Sequence, residues 1–219
     1  MENLSVNKIQ GGIEIEGYKD CRRVIYLKNC WARQLSDISL HNDDLVFALD
    51  CLQRVNKHDD NFVQESLYRN AIVLFVKCFV SSRARSKLTA KKIWKGNGEA
   101  LECFNYFKDL RDKHISHDEN LYHQSQVGAI INDGKKSYKV EKVITTTVRG
   151  VLLEQENYSN LYKLIEESLD WVKEKYNELC NTISEDLEKK DYEELMKEEI
   201  LTFKIPRAED VSITRDEKQ

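Results

Sequence analysis

A single proline and only eight glycines in 219 residues leave this chain without the turn chemistry that a β-sandwich or barrel needs between its strands. Its six cysteines, at 21, 30, 51, 78, 103 and 180, form no CxxC pair. That spacing excludes a zinc ribbon and argues against a disulfide frame. With no secretory leader, the thiols are expected as small buried hydrophobes in a reducing, cytoplasmic setting. Long apolar runs are missing as well. The longest, 71–76, stops at Lys77, too short to cross a bilayer, so no membrane partner is expected. No excess of one charge sign exists either: 33% of residues are charged, yet the formal net charge is -4, so any nucleic-acid argument must be local. Phosphate cradles of the GxxxxGK[ST] or GxGxxG type are absent, as are a GxSxG elbow and an HExxH pair. No cofactor is expected.

What is present is rich in Glu, Lys, Leu and Asp, which predicts a mainly α protein. Residues 1–17 lack helical periodicity, and Gly12 to Gly17 alternate as a short strand does, so this segment reads as an N-terminal arm. The spacing of Val24, Leu27, Trp31 and Leu35 predicts a helix over 18–36 with Trp31 in the core. A second helix is predicted from Asp43, with Leu45, Leu49, Leu52 and Val55 on one face, ending in the polar run 56–61 where His58 is solvated. A third runs from Asn61 past Val80. Its centre, 71–76, is apolar almost all round, as befits a central helix. The Asn97-Gly98 break starts a fourth, expected to continue to His117 or Asp118.

One clear departure from helix follows. Residues 126–132 and 139–148 are β-prone runs about Asp133-Gly134, which predicts an inserted β-hairpin over 126–148. Helical spacing then resumes over 157–203, with Ser159 as N-cap and a bend near Glu185. Pro206 closes the helical domain, 18–205, and 206–219 reads as a flexible tail.

Two stretches carry chemistry. Arg83, Arg85, Lys87, Lys91, Lys92 and Lys95 fall within thirteen residues that hold no acid, with Trp94 interleaved. Such a stretch can hold a phosphate backbone and stack a base, or it is a solvated helix end. Just beyond it, Leu101 to Asn120 crowds Arg111, Asp112, His114 and His117 together. At about 100° per residue these fall on the apolar side, with Phe104 and Phe107. A guanidinium and imidazoles on that side must be buried with partners, face a cleft or meet a second subunit. His114 and His117 at i and i+3 can ligate a metal, but the Glu-x-x-His partners of a di-metal bundle are missing, and no metal is expected. An arginine can clamp a phosphodiester while an imidazole moves a proton to or from a ribose hydroxyl, which suffices for metal-free RNA cleavage.

The string LRDKHISHDEN resembles the arginine-to-histidine motif of the HEPN superfamily, mapping onto Arg111, Asp112 and His117 with five residues between Arg and His and with His114 as a further polar member. The resemblance implies an up-and-down helical bundle in which the hairpin is an insert, and a homodimer whose two motifs share a cleft. It further implies a metal-independent endoribonuclease, of the kind found among toxins and anti-phage defence effectors, with an antitoxin as a possible protein partner. In that scheme Arg111 polarises the scissile phosphate, His117 is general base or acid, Asp112 orients one of them, and His114 supports the proton relay. Arg83, Arg85, Lys91 and Lys92 draw in the RNA. Other members are inactive dimerisation or interaction modules. A helix-end salt-bridge network with His117 capping carbonyls also fits the residues.

Overall fold

The computed structural model describes residues 6–9, 12–18, 23–202 and 205–213. It is mainly helical, as predicted, with two small antiparallel hairpins. Among the described residues no helix is long and apolar enough to cross a membrane. The chain divides into two compact units: Met1–Val46, Cys78–Thr89 and Glu167–Gln219 form the first, and Phe47–Lys77 and Ala90–Glu166 the second.

In the first unit, β1 (Val6–Ile9) pairs antiparallel with β2 (Gly12–Ile15), so the predicted strand exists and has a partner that alternation did not reveal. The expected helix over 18–36 does not form from 23 to 29; residues 19–22 lie outside the described residues. Here the backbone is extended and paired: the Tyr26 N–H donates to Glu199 O at 2.7 Å, the Leu201 N–H donates to Val24 O at 2.9 Å, and Ile25 bridges Ile200. Arg23 adds guanidinium hydrogen bonds to Glu198 O at 2.6 Å and to Met196 O. A distant segment supplies partners that helical periodicity cannot register, and β-branched Val24 and Ile25 suit the extended form.

Helix α1 (Cys30–Val55) starts where the Asn29 side chain accepts the Ala32 N–H at 2.8 Å, an N-cap. It runs without the predicted break through 36–43. The polar residues that read as a boundary have partners instead. Asp37 accepts both the Ser86 N–H at 3.0 Å and its hydroxyl at 2.8 Å, His41 Nε2 donates to Ser86 O at 2.8 Å, and Asp44 meets Arg85 at 2.8 Å. Trp31, expected in the core, is exposed, as is Cys30. Of the other described cysteines, Cys51 and Cys78 are buried; Cys21 lies outside the described residues. Ile38, Leu45, Phe79, Leu88, Leu169, Val172 and Leu179 are buried in this unit. After α6 (Tyr192–Leu195), Ala208–Ser212 forms a short 3-10 turn within the expected tail; 214–219 lie outside the described residues.

The second unit is organised on α2 (Asn61–Lys77), where Tyr68, Ala71, Ile72, Phe75 and Val76 are fully buried, in line with the expected central helix. It ends at Lys77, short of the predicted Val80. The loop before it holds exposed His58, as expected. Phe75 sits 6.0 Å from Phe104 and 6.5 Å from Trp94, and the last two are 5.4 Å apart, an edge and tilted aromatic cluster that ties α2 to α3 (Ala90–Ile93) and α4 (Gly98–Leu110). Asn97 caps α4, accepting the Ala100 N–H at 3.1 Å.

The hairpin is β3 (His123–Ile131) and β4 (Val140–Arg149), paired antiparallel with Val127 opposite Thr145 and Ala129 opposite Val143, and with an irregularity at Ile130/Ile131. Gly134, at φ +79°, makes the expected turn. Both strands are exposed along their whole length. Helix α5 (Gln155–Leu187) begins before Ser159, whose hydroxyl donates to Gln155 O at 3.0 Å inside the helix and caps nothing.

Candidate functional site

The polar cluster stands at the end of α4. The helix does not carry it to His117 as expected: α-geometry stops at Leu110, and Arg111–Ile115 form a π-helical turn. The Ser116 N–H closes it on Arg111 O at 2.9 Å, a five-residue step, and the Glu119 N–H then reaches Lys113 O at 2.9 Å. Beyond Ile115 the regular helix is finished, so the common face deduced from a uniform 100° step does not extend to His117. His117 is exposed, just past the turn.

Within the turn, Arg111 Nη1 pairs with Asp112 Oδ1 at 2.6 Å, and Lys108 Nζ with Asp112 Oδ2 at 2.8 Å. One carboxylate thus holds two cations. Burial alone would raise the Asp112 carboxyl, but the hydrogen bonds and charges of Lys108 and Arg111 outweigh it and hold the group below its ordinary 3.8. Arg111 Nε is buried without a hydrogen-bond partner.

His114 is half-buried, yet both its ring nitrogens are shut from solvent and neither has a partner. Its ring meets Tyr122 edge-on, centroids 5.3 Å apart at 64°. Burial is the chief cause that lowers the imidazole from 6.5, followed by Arg69; His123 and Arg149 lower it further and Asp118 opposes them. Beside it, Glu65 on α2 joins Arg69 at 2.9 Å and Arg149, the last residue of β4, at 3.2 Å. Deeper in the unit the fully buried Tyr68 hydroxyl has no partner, and burial, with Tyr122 beside it, pushes Tyr106 up to about 12.

Of the sequence-predicted residues, Arg111, Asp112 and His114 therefore share one turn, and His117 lies beyond it. Arg83 is exposed, whereas Arg85 is mostly buried against Asp44; both belong to the first unit. Lys91 and Lys92 are exposed on α3 in the second. Trp94, considered as a base-stacking platform, is 3% exposed and belongs to the aromatic core. Sequence reasoning missed Tyr122, Arg69, Glu65 and Arg149. The one available signal was Gly150, placed directly after a β-branched strand. Among the described residues no three His, Cys, Asp or Glu side chains converge as a cation site.

Chemically, the turn and its flanks bring together the Arg111 guanidinium, the ammonium groups of Lys108 and Lys113, the latter paired with Asp109 at 3.0 Å, a screened imidazole and, past the turn, the exposed His117. The cations can bind an anionic oxygen, and the imidazoles can exchange protons. No family model matches the chain, and neither does any curated protein or solved structure.

Proposed function

We propose that the chain is a cytoplasmic, metal-independent endoribonuclease of the HEPN type, working as a homodimer in a toxin or defence role, with an antitoxin as its natural inhibitor. The observation that carries this reading is the π-helical turn formed by the motif itself. Such turns recur at functional sites, and this one leaves buried polar atoms of Arg111 and His114 without partners, a cost that a purely structural helix end avoids.

In this reading Arg111, with Lys108 nearby, binds the non-bridging oxygens of the scissile phosphate. A neutral imidazole takes the proton of the ribose 2'-hydroxyl, the resulting oxygen attacks phosphorus, and the bond to the 5'-oxygen breaks. The leaving oxygen receives a proton from a second imidazole, and a 2',3'-cyclic phosphate remains. His117 fills one of these proton roles and His114 supports it, while Asp112 fixes the guanidinium. The ion pairs of Asp112 to Arg111 and Lys108 within one chain favour a second reading, a non-catalytic dimerisation or interaction module in which the motif is a structural network.

Incubating the purified chain with total RNA in EDTA, beside His117→Ala and Arg111→Ala, separates the two. Cleavage by the wild type alone supports the nuclease. Three equally inert proteins, with the variants weakened in dimerisation or stability, leave the module.

A further inference from the structure

Besides the Arg149–Glu65 ion pair, the hairpin meets the site through one ring. Tyr122 precedes β3, and Gly150 follows β4. A Cβ built on Gly150 would stand 2.5 Å from Cε1 of Tyr122, 2.7 Å from Cζ and 2.8 Å from Cδ1, closer than real side chains approach. Gly150 is not among the glycines with positive φ, so space, not backbone conformation, requires it. Besides a side-chain hydrogen bond with Tyr106, three local hydrogen bonds fix the tyrosine. Its hydroxyl donates to Val151 O at 2.6 Å, its N–H donates to Asn120 Oδ1 at 3.0 Å, and its carbonyl accepts the Gly150 N–H at 2.8 Å. A ring held by its hydroxyl at one end and its backbone at the other, and packed against a glycine, has little freedom. The same ring meets the His114 imidazole in a T-shaped contact.

We propose that Tyr122 is the positioning residue of the site: its ring, admitted by Gly150 and tied to Val151, holds the His114 imidazole in one orientation and keeps water from both ring nitrogens. The catalytic meaning of this rests on the nuclease reading, but the positioning itself does not. His114 is not coplanar with Tyr122 and donates nothing to it, so the contact supplies cover and orientation without a hydrogen bond that would fix a tautomer. The charged and titratable groups around the imidazole are Arg69 from α2, His123 and Arg149 from the ends of the hairpin strands, and Asp118 from the segment between. Three of these four disfavour the imidazolium, and so does exclusion of water; loosening the ring removes the larger influence. Through Tyr122, the base of an otherwise solvent-exposed hairpin governs the protonation of a group in the motif.

The test is an NMR titration of the His114 ring in the full chain, its signals assigned by their loss in His114→Gln. Tyr122→Ala and Gly150→Ala are expected to move the His114 midpoint upward, toward an ordinary imidazole, while Tyr122→Phe, which keeps the ring but loses its tie to Val151, moves it less than Tyr122→Ala does. Should Gly150→Ala fail to fold, Tyr122→Ala decides, because it only removes atoms. A folded Tyr122→Ala protein whose His114 titrates as in the wild type overturns the proposal. Cleavage of RNA is a separate readout. If the wild type cleaves, the acid limb of its pH profile shifts with the NMR midpoint; if it does not cleave, the nuclease reading fails while the titration still tests the tyrosine.

Discussion

Within residues 83–95, side chains that look alike in sequence stand in different physical settings. Lys91 and Lys92 are exposed, Arg85 is mostly buried on Asp44, and Trp94 is enclosed with Phe75 and Phe104. An indole that is 3% exposed cannot stack on a base without leaving the core. Trp94→Ala is therefore expected to be a stability variant, costing about 3–5 kcal/mol from lost burial and the cavity left behind. Lys91→Ala and Lys92→Ala should stay within about 0.5 kcal/mol, as exposed residues without a special partner do. Urea unfolding of the three variants checks this; equal midpoints for Trp94→Ala and the wild type would contradict the packing. Arg85 shows the same logic from the polar side. A guanidinium in this stretch reads as available to phosphate, but the carboxylate that claims it lies 41 residues away in the chain.

At the level of the element, the π-helical turn decides where the motif points. Its ring from Arg111 O to the Ser116 N–H contains one residue more than an α-turn. Deleting exposed Lys113 leaves a four-residue step and lets α4 continue in register. The deletion is expected to keep the helical circular dichroism while turning His117 away from Arg111 by about one residue's rotation, roughly 100°, and abolishing the RNA cleavage proposed for the wild type. A deletion protein that cleaves RNA at the wild-type rate would show that the turn is incidental. This element was not legible in the sequence, because helical periodicity assumes the uniform step that the turn violates. The hairpin was legible, its second strand to within one residue and its first starting three residues earlier than expected: a β-branched run about Asp-Gly has few other conformations open to it. Asn97 was read correctly as the boundary of α4 for an equally local reason. The start of α1 was misread because the pairing that keeps 23–28 extended comes from 196–201, and the predicted break in α1 vanished because Ser86 and Arg85 satisfy the polar residues that suggested it. Local chemistry was readable, and long-range partners were not. In the site, the same division separates Arg111, Asp112 and His114, which are neighbours in sequence, from Tyr122, Arg69 and Arg149, which only the fold brings to them.

For the whole molecule, each unit holds one imidazole that folding disfavours as a cation. His41, 1% exposed in the first unit, donates Nε2–H to Ser86 O and leaves Nδ1 buried without a partner. Burial first, then Arg85, lowers it from 6.5, and His114 in the second unit is lowered chiefly by burial. The unfolded chain therefore binds protons that the folded chain refuses once the pH drops below 6.5. Their stabilisation is complete above that value and is lost as the pH falls toward the lowered folded values, with a slope of at most about 1.4 kcal/mol per pH unit for each proton. Asp112 acts only further down: its folded value lies below 3.8, so what it contributes is present above 3.8 and disappears at more acidic pH. Between pH 7.5 and 5.5 the two histidines alone account for the trend among these groups. Denaturant midpoints are expected to fall across that interval in the wild type, and to fall less in His41→Gln, which carries no titrating proton at that position. The two variants, His41→Gln and His114→Gln, should reduce the pH dependence additively, since the groups sit in different units and share no partner. A wild type whose midpoint is the same at pH 7.5 and 5.5 would mean that both rings accept protons in the folded state, and that neither is sealed as the geometry has it.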